Sequence, residues 1–320
     1  MLRRSKFKGL TISHTKCFLM ALATVGALAA QKSDETPIFR TDTRLVVLPV
    51  TVFDKSGRLI TTLPESAFQV FENGVPQKVK QFKREDVPVS MGLIIDNSGS
   101  MRDKRQKVAA AAVALVKDSN KEDEAFVVNF NDDAYLDCDF TNSIEKMDQA
   151  LSRIDSRGGT AMRDAIRMSI DHMKQKAKKD KKVILVVTDG NDNASTVGLE
   201  SLVKQAQQSE VIVYTIGLLS EEEKREAKRA KRALDLLTEA TGGQAYYPKE
   251  LADVERIAHQ VAHDIRNQYT ITYTPANQSL DGSFRQIKVV ASGPGHPVAR
   301  TRTGYYATPD SVNAKANSFR

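Results

Sequence analysis

Four segments of this chain are almost unbroken in their apolar residues: VSMGLIID (89–96), AFVVNFND (125–132), KKVILVVTDG (181–190) and VIVYTIGL (211–218). A strand with one solvated face alternates apolar and polar residues, whereas a strand covered on both faces does not. Between these segments lie stretches with helical spacing. One is 101–117, rich in alanine; another is SIEKMDQALSRI, with Ile144, Met147, Leu151 and Ile154 on one side. Further helices are predicted over 161–178, 198–209, 221–240 and 250–266, an edge strand at AYLDCDF (134–140) and a short strand at AYY (245–247). Buried strands alternating with helices predict an α/β fold: a doubly wound, mostly parallel sheet with helices on both faces, over residues 88–265.

The flanking sequence has a different character. In residues 31–87, RLVVLPVTVFD is β-branched and apolar and KSGR supplies a turn. AFQVFENGVPQKVKQF follows, with Phe68, Val70, Val79 and Phe82 facing inward and a hairpin turn at Asn73-Gly74. In residues 266–308 the pattern returns to β: YTITYTP alternates, DGSF supplies a turn, RQIKVVAS reads as a strand and VARTRTGYYA closes the region. Each flank is too short to form a sandwich by itself. The expectation is that 31–87 and 266–308 pair into one small β-sandwich-like domain, with the α/β unit inserted between them; the alternative is two separate β appendages. Residues 309–320 read as a flexible tail.

The first thirty residues read as a signal peptide. Arg3, Arg4, Lys6, Lys8 and Lys16 precede or open the uncharged run CFLMALATVGALAA, Cys17 to Ala30, and no acid occurs before Gln31. Fourteen apolar and small residues are too few for an ordinary membrane span and suit a signal-peptide core, with Ala27, Ala29 and Ala30 offering cleavage sites. The alternative is an uncleaved N-terminal anchor. This segment holds five of the seven net positive charges, leaving +2 on the remainder. So nearly neutral a remainder gives bulk charge no case for a nucleic-acid partner. Removal of the segment would leave Cys138 as the one cysteine, excluding an internal disulfide. Export without disulfides fits a bacterial periplasmic or secreted protein.

In a doubly wound sheet, ligands sit outside the carboxyl ends of the strands. Three segments bring oxygen donors to that edge. Asp96, Ser98 and Ser100 follow the first strand in DNSGS; Thr160 lies in SRGGTAMRD, before a helix; Asp189 ends VILVVTDG. With no cysteine or histidine among them, these five side chains suit a hard divalent cation: Mg²⁺, with Mn²⁺ or Ca²⁺ as alternatives. A cation near a helix N-terminus opposes the helix dipole, and Asp96 and Asp189 would offset that cost. Residue by residue there are plainer readings. Ser98 or Ser100 could cap a helix beginning near Met101, Asp189 could be a strand-end turn residue, and Gly159-Thr160 could be an ordinary helix start.

DNSGS resembles the D-x-S-x-S of the von Willebrand factor type A domain. Gly158-Gly159-Thr160 resembles that family's threonine loop, and Thr188-Asp189-Gly190 its distal aspartate. The resemblance covers roughly residues 88–265, and the flanks DKSGRLITTLPESAFQVFENGVPQKVKQF and DGSFRQIKVVASGPGHPVARTRTGYYA resemble the bacterial von Willebrand factor A-related proteins described from acidobacteria. It implies a metal-ion-dependent adhesion site formed by Asp96, Ser98, Ser100, Thr160 and Asp189. One coordination position is left for an Asp or Glu carboxylate of a protein partner, which could be an envelope or extracellular-matrix component. It also implies metal-dependent protein binding or adhesion, not turnover.

Other motifs carry less. HQVAH (259–263) has the histidine spacing of a zinc-protease helix, but Gln260 cannot act as the general base that HExxH requires. Neither serine of DNSGS sits in G-x-S-x-G, and no Walker A lysine follows a glycine loop. EEEKREAKRAKRA (221–233), acidic then basic, reads as a solvated helix or as a basic surface for an anionic polymer. A divalent-metal hydrolase and an envelope scaffold with a vacant metal site are the rival functional readings.

Overall fold

The computed structural model describes residues 45–308, except 119, 153–155, 191 and 221–223. The expected signal peptide, Ile154 and the expected tail over 309–320 lie outside the described residues. In chain order the strands before the α/β unit are β1 (Val46–Phe53), β2 (Phe68–Glu72), β3 (Val75–Gln77) and β4 (Val79–Lys83). The unit itself contains β5 (Val89–Asp96), α1 (Arg105–Lys117), β6 (Glu124–Phe130), β7 (Ala134–Thr141), α2 (Ile144–Leu151), α3 (Met162–Lys176) and β8 (Lys181–Thr188). It continues through α4 (Leu199–Ser209), β9 (Ile212–Gly217), α5 (Lys224–Thr241), β10 (Ala245–Tyr246) and α6 (Asp253–Arg266). The last strands are β11 (Tyr269–Tyr273), β12 (Phe284–Ala291), β13 (Val298–Arg300) and β14 (Gly304–Tyr306).

The fold is mixed α/β. The central six-stranded sheet has the order β10-β9-β8-β5-β6-β7, and every neighbouring pair is parallel except β6 with β7, which runs antiparallel at the edge. The two faces of its strands build two cores. Met91, Leu93 and Ile95 of β5 pack with Val108 and Leu115 of α1, Met147 of α2 and Val261 of α6. Ile94, Phe126 and Ile184 pack on the opposite face with Ile166 of α3, Leu202 of α4 and Leu234 of α5. Burial on both faces is the reason these strands read as continuous apolar runs. Gly92 is the exception within β5, and the ring of Phe126 fills its place. A Cβ there would lie 2.6 Å from Phe126 Cζ.

Two four-stranded sheets, β13-β1-β11-β4 and β14-β12-β2-β3, combine strands from both ends of the described chain. Leu48, Val50, Phe68, Val70, Ile271, Tyr273, Ile287 and Tyr305 belong to one shared core. Asn73 and Gly74 both have positive φ, 48° and 80°, and join β2 to β3 as a tight hairpin.

The closing segment VARTRTGYYA divides between the two sheets: β13 pairs with β1, and β14 pairs with β12 in the other sheet. The break falls where Arg302 turns inward to Glu210 Oε1 and the Val47 carbonyl. Gly304 then passes so close to the Arg285 carbonyl oxygen that a Cβ would lie 2.4 Å from it. The helix expected over 101–117 begins at Arg105, because Gly99–Met101 form a separate 3₁₀ turn first.

Candidate metal centre at the carboxyl edge of the sheet

β5 lies between β6 and β8, and the chain leaves β5 and β8 into helices on opposite faces. This is the topological switch point of the sheet, where the loops diverge and leave a crevice. Asp96 is the last residue of β5 and is fully buried. Its Oδ1 accepts from the Ser98 amide at 2.8 Å, and its Oδ2 accepts from Thr188 Oγ1, at the end of β8, at 2.6 Å. Ser98 Oγ lies 3.2 Å from Ser100 Oγ, and Ser100 Oγ donates to Asp189 Oδ1 at 2.8 Å. Asp96, Ser98, Ser100 and Asp189 are therefore joined in one chain of hydrogen bonds, through the Ser98 amide and the two serine hydroxyls.

Thr160 joins this edge by another route. Its amide donates to Asn193 Oδ1 at 2.9 Å, and its carbonyl accepts from the amides of Asn193 and Ala194. Thr160 Oγ1 faces Gly190, the residue after Asp189: a Cβ there would be 3.7 Å from it. The Gly99 amide donates to the Gly158 carbonyl at 3.3 Å, and Gly158 holds φ at +73°. Asp132 Oδ1 accepts from the Gly159 amide at 2.7 Å and occupies the space a side chain on Gly158 would need. The two glycines are thus required by a left-handed turn packed on a carboxylate.

The serines do not cap a helix. The side chain of Ser98 makes no cap hydrogen bond, and Ser100 spends its hydroxyl on Asp189. The cap reading of DNSGS is corrected on this point, since Ser98 precedes the 3₁₀ turn, Ser100 lies within it, and α1 begins only at Arg105.

Charge is concentrated here. Burial pushes the Asp96 carboxyl up to about 6, partly offset by hydrogen bonds from Ser98 and Thr188, and the nearby Asp189 adds to the rise. Lys104 Nζ sits on Asp189 Oδ2 in a short ion pair. Arg105, next in sequence, points the other way and is completely buried. Its Nε donates to Asn97 Oδ1 at 3.2 Å and one terminal nitrogen donates to Asn129 Oδ1 at 2.7 Å. Burial lowers its guanidinium to about 10. Asn97 is equally enclosed: its amide donates to the Phe130 carbonyl, its carbonyl accepts from the Arg157 amide and its Oδ1 accepts from Ser156 Oγ.

Sequence reasoning missed Lys104, Asn97, Arg105, Asp132 and Asn193, and quoted Thr188 only as the residue before Asp189. Asn97 occupies the variable position of D-x-S-x-S, and Lys104 and Arg105 stand in an ordinary helix-like stretch, so composition held no signal for them. Thr188 and Asn193 adjoin Asp189 in VVTDGNDN and were accessible as neighbours of a strand-end carboxylate. Among the described residues, no three His, Cys, Asp or Glu side chains converge to hold a metal, so a cation at this edge would depend on hydroxyl donors. The HQVAH histidines lie on α6, where His259 pairs with Asp118 and His263 lies 3.9 Å from Asp264.

No curated protein sequence matches this chain. Similar solved structures include the PilB minor pilin from Streptococcus sanguinis, at 14% identity over 57% of this chain and 62% of that one, with a TM-score of 0.45. This chain therefore spans less than two thirds of the pilin's length. The vWF domain of the type V pili tip protein Mfa5 from Porphyromonas gingivalis matches at 14% identity over 56% of this chain and 97% of that one, with a TM-score of 0.45. A von Willebrand factor type A protein from Catenulispora acidiphila matches at 14% identity over 85% of this chain and 76% of that one, with a TM-score of 0.49. Residues 91–191, from the middle of β5 to just beyond Asp189, match the family model described as the von Willebrand factor type A domain.

Proposed function

We propose that the α/β unit binds a protein partner through a divalent cation held by Asp96, Ser98, Ser100, Thr160 and Asp189. The observation that carries this reading is the hydrogen-bonded chain from Asp96 through the Ser98 amide and the Ser98 and Ser100 hydroxyls to Asp189, whose last link joins residues 89 apart. The donor set fits the group. All five side chains offer oxygen, as Mg²⁺, Mn²⁺ and Ca²⁺ prefer. A carboxylate as buried as that of Asp96 is a cost to the folded state unless a cation compensates it, and its carboxyl is raised chiefly by that burial.

Each residue then has a definite task. Asp96 and Asp189 supply negative charge, and Ser98, Ser100 and Thr160 supply neutral oxygens. Asn97 and Arg105 hold the DNSGS loop from beneath. When bound, the cation would offer a coordination position to an Asp or Glu carboxylate of the partner. The surrounding loops would set which partner fits. The reading is one of binding and not turnover. Export to the periplasm or cell exterior is part of the proposal and rests on residues 1–30. Among the described residues, no helix is long and apolar enough to cross a membrane.

The test is thermal unfolding of the full chain with Mg²⁺ or Mn²⁺, beside Asp96→Ala and Thr160→Ala. A cation-dependent rise in Tm of wild type that both variants lose supports the reading. An equal rise in all three overturns it. A second reading, a scaffold whose site works without metal, is favoured by the Lys104–Asp189 ion pair, which already gives one carboxylate a cation.

A further inference from the structure

We propose that Lys104 is an internal competitor that sets the cation affinity of this site: its ammonium neutralises Asp189 and must leave before a divalent cation can use that carboxylate. The inference rests on the metal-site reading above. Four observations support it. First, the backbone of Lys104 is fixed at the mouth of the crevice. Its amide donates to the Met101 carbonyl at 2.9 Å and its carbonyl accepts from the Val108 amide at 3.1 Å. Secondly, both oxygens of Asp189 are taken by donors from one loop, Oδ1 by Ser100 Oγ and Oδ2 by Lys104 Nζ. Thirdly, the Asp189 side chain is only 1% exposed, whereas that of Lys104 is 32% exposed. The lysine therefore roofs the carboxylate while its own stem reaches water. Fourthly, Arg105 already places a fully buried positive charge near Asp96, donating to the side chain of the adjoining Asn97 at 3.2 Å.

The charge balance decides the outcome. With Lys104 in place, Asp96 and Asp189 face one lysine and one arginine. A divalent cation added to that arrangement would meet two positive neighbours, and repulsion over a few ångströms in a dry site is substantial. Departure of Lys104 into solvent removes one of them and frees an Asp189 oxygen. A lysine suits this role because its charge is compact and its four-carbon stem is flexible, so the ammonium can exchange carboxylate for water without moving the backbone.

The experiment is titration of the full-length protein with MnCl₂, followed by calorimetry and by Tm, on wild type, Lys104→Met, Lys104→Gln, Lys104→Arg and Asp96→Ala. Both neutral variants are expected to bind Mn²⁺ on the order of tenfold more tightly than wild type. They are also expected to unfold at lower temperature in metal-free buffer and to gain more from Mn²⁺. Lys104→Arg should stay near wild type. Mn²⁺ binding by the neutral variants alone, with none by wild type, also supports the competitor role. Equal or weaker binding by both neutral variants, with binding abolished in Asp96→Ala, overturns this inference and leaves the metal site standing. Absence of Mn²⁺ binding in wild type and in both neutral variants overturns the metal-site reading and the competitor with it.

Discussion

Ser100 Oγ lies 2.8 Å from Asp189 Oδ1, although 89 residues separate them in the chain. β5 and β8 are adjacent parallel strands in register from Val89 with Lys181 to Ile95 with Val187. The loops that follow them therefore start side by side, and a serine one turn beyond β5 meets a carboxylate one residue beyond β8. This contact links the two halves of the candidate site, and it bears on several measurements.

Ser100→Ala should remove the hydroxyl that donates to Asp189 and leave that buried carboxylate one partner short. Stability in metal-free buffer should fall by about 1–2 kcal/mol, measured by urea denaturation. The gain in Tm from Mg²⁺ should shrink in the same variant. A full Mg²⁺ response would remove Ser100 from the proposed ligand set.

Asp96→Asn should separate stability from binding. At neutral pH the Asp96 carboxylate is ionised in a site that pushes it up to about 6, so the charge is a cost to the folded state. The amide keeps an acceptor for the Ser98 amide, and the Thr188 hydroxyl can reverse its role. The variant should be more stable than wild type without metal, by about 1–2 kcal/mol, and should gain nothing from Mn²⁺. A variant less stable than wild type in metal-free buffer would contradict this account.

Arg105→Met should loosen the loop from below. The substitution removes a buried donor from both the Asn97 and Asn129 side-chain carbonyls, leaving Asn97 only Ser156 Oγ, at a cost of about 2–4 kcal/mol in denaturant unfolding. Amide exchange should rise at Asn97 and Ser98 more than in α3. Unchanged exchange at the loop would show that Arg105 only fills space there.

Lys181 supplies a pH test away from the site. Its ammonium donates to the Ile265 carbonyl, and burial lowers it from 10.5 to about 8, with Asp86 and Asp123 pulling weakly the other way. Between those two values the unfolded chain holds the proton and the folded chain does not, so this group makes stability increase with pH over that window. Below about 8 both states are protonated and the cost of the buried charge is complete. Lys181→Met should flatten the difference in Tm between pH 8 and pH 10.5, read against wild type in the same buffers.

Gly92→Ala should be costly despite being a small change. The added methyl on β5 meets the Phe126 ring of β6 in a close-packed core, and a loss of about 1–3 kcal/mol is expected. Phe126→Leu in the same chain should recover part of that loss, and an additive double variant would locate the strain elsewhere.

Much of the architecture was legible in the sequence because it depends on local pattern. The runs VSMGLIID, AFVVNFND, VILVVTDG and VIVYTIGL could bury both faces only in a covered sheet, and Asn73-Gly74 could adopt positive φ cheaply. The positions of Asp96, Thr160 and Asp189 at strand ends and before a helix were legible for the same reason. Helix onset was less so. The alanine-rich spacing from Met101 has no local feature that announces a 3₁₀ turn, and the residues between that turn and Arg105 include Lys104, which pairs with Asp189.

What only the tertiary structure decided were the long-range pairings. The division of VARTRTGYYA between two sheets follows from which strands stand beside it, β1 for one half and β12 for the other. Lys104 on Asp189 and Arg105 under Asn97 point in opposite directions from consecutive positions, and each is chosen by a partner elsewhere in the chain. Hydrophobic period is a property of neighbours in sequence and can be read from them. A charge pair is a property of neighbours in space, and it exists only once the sheet has brought β5 and β8 together.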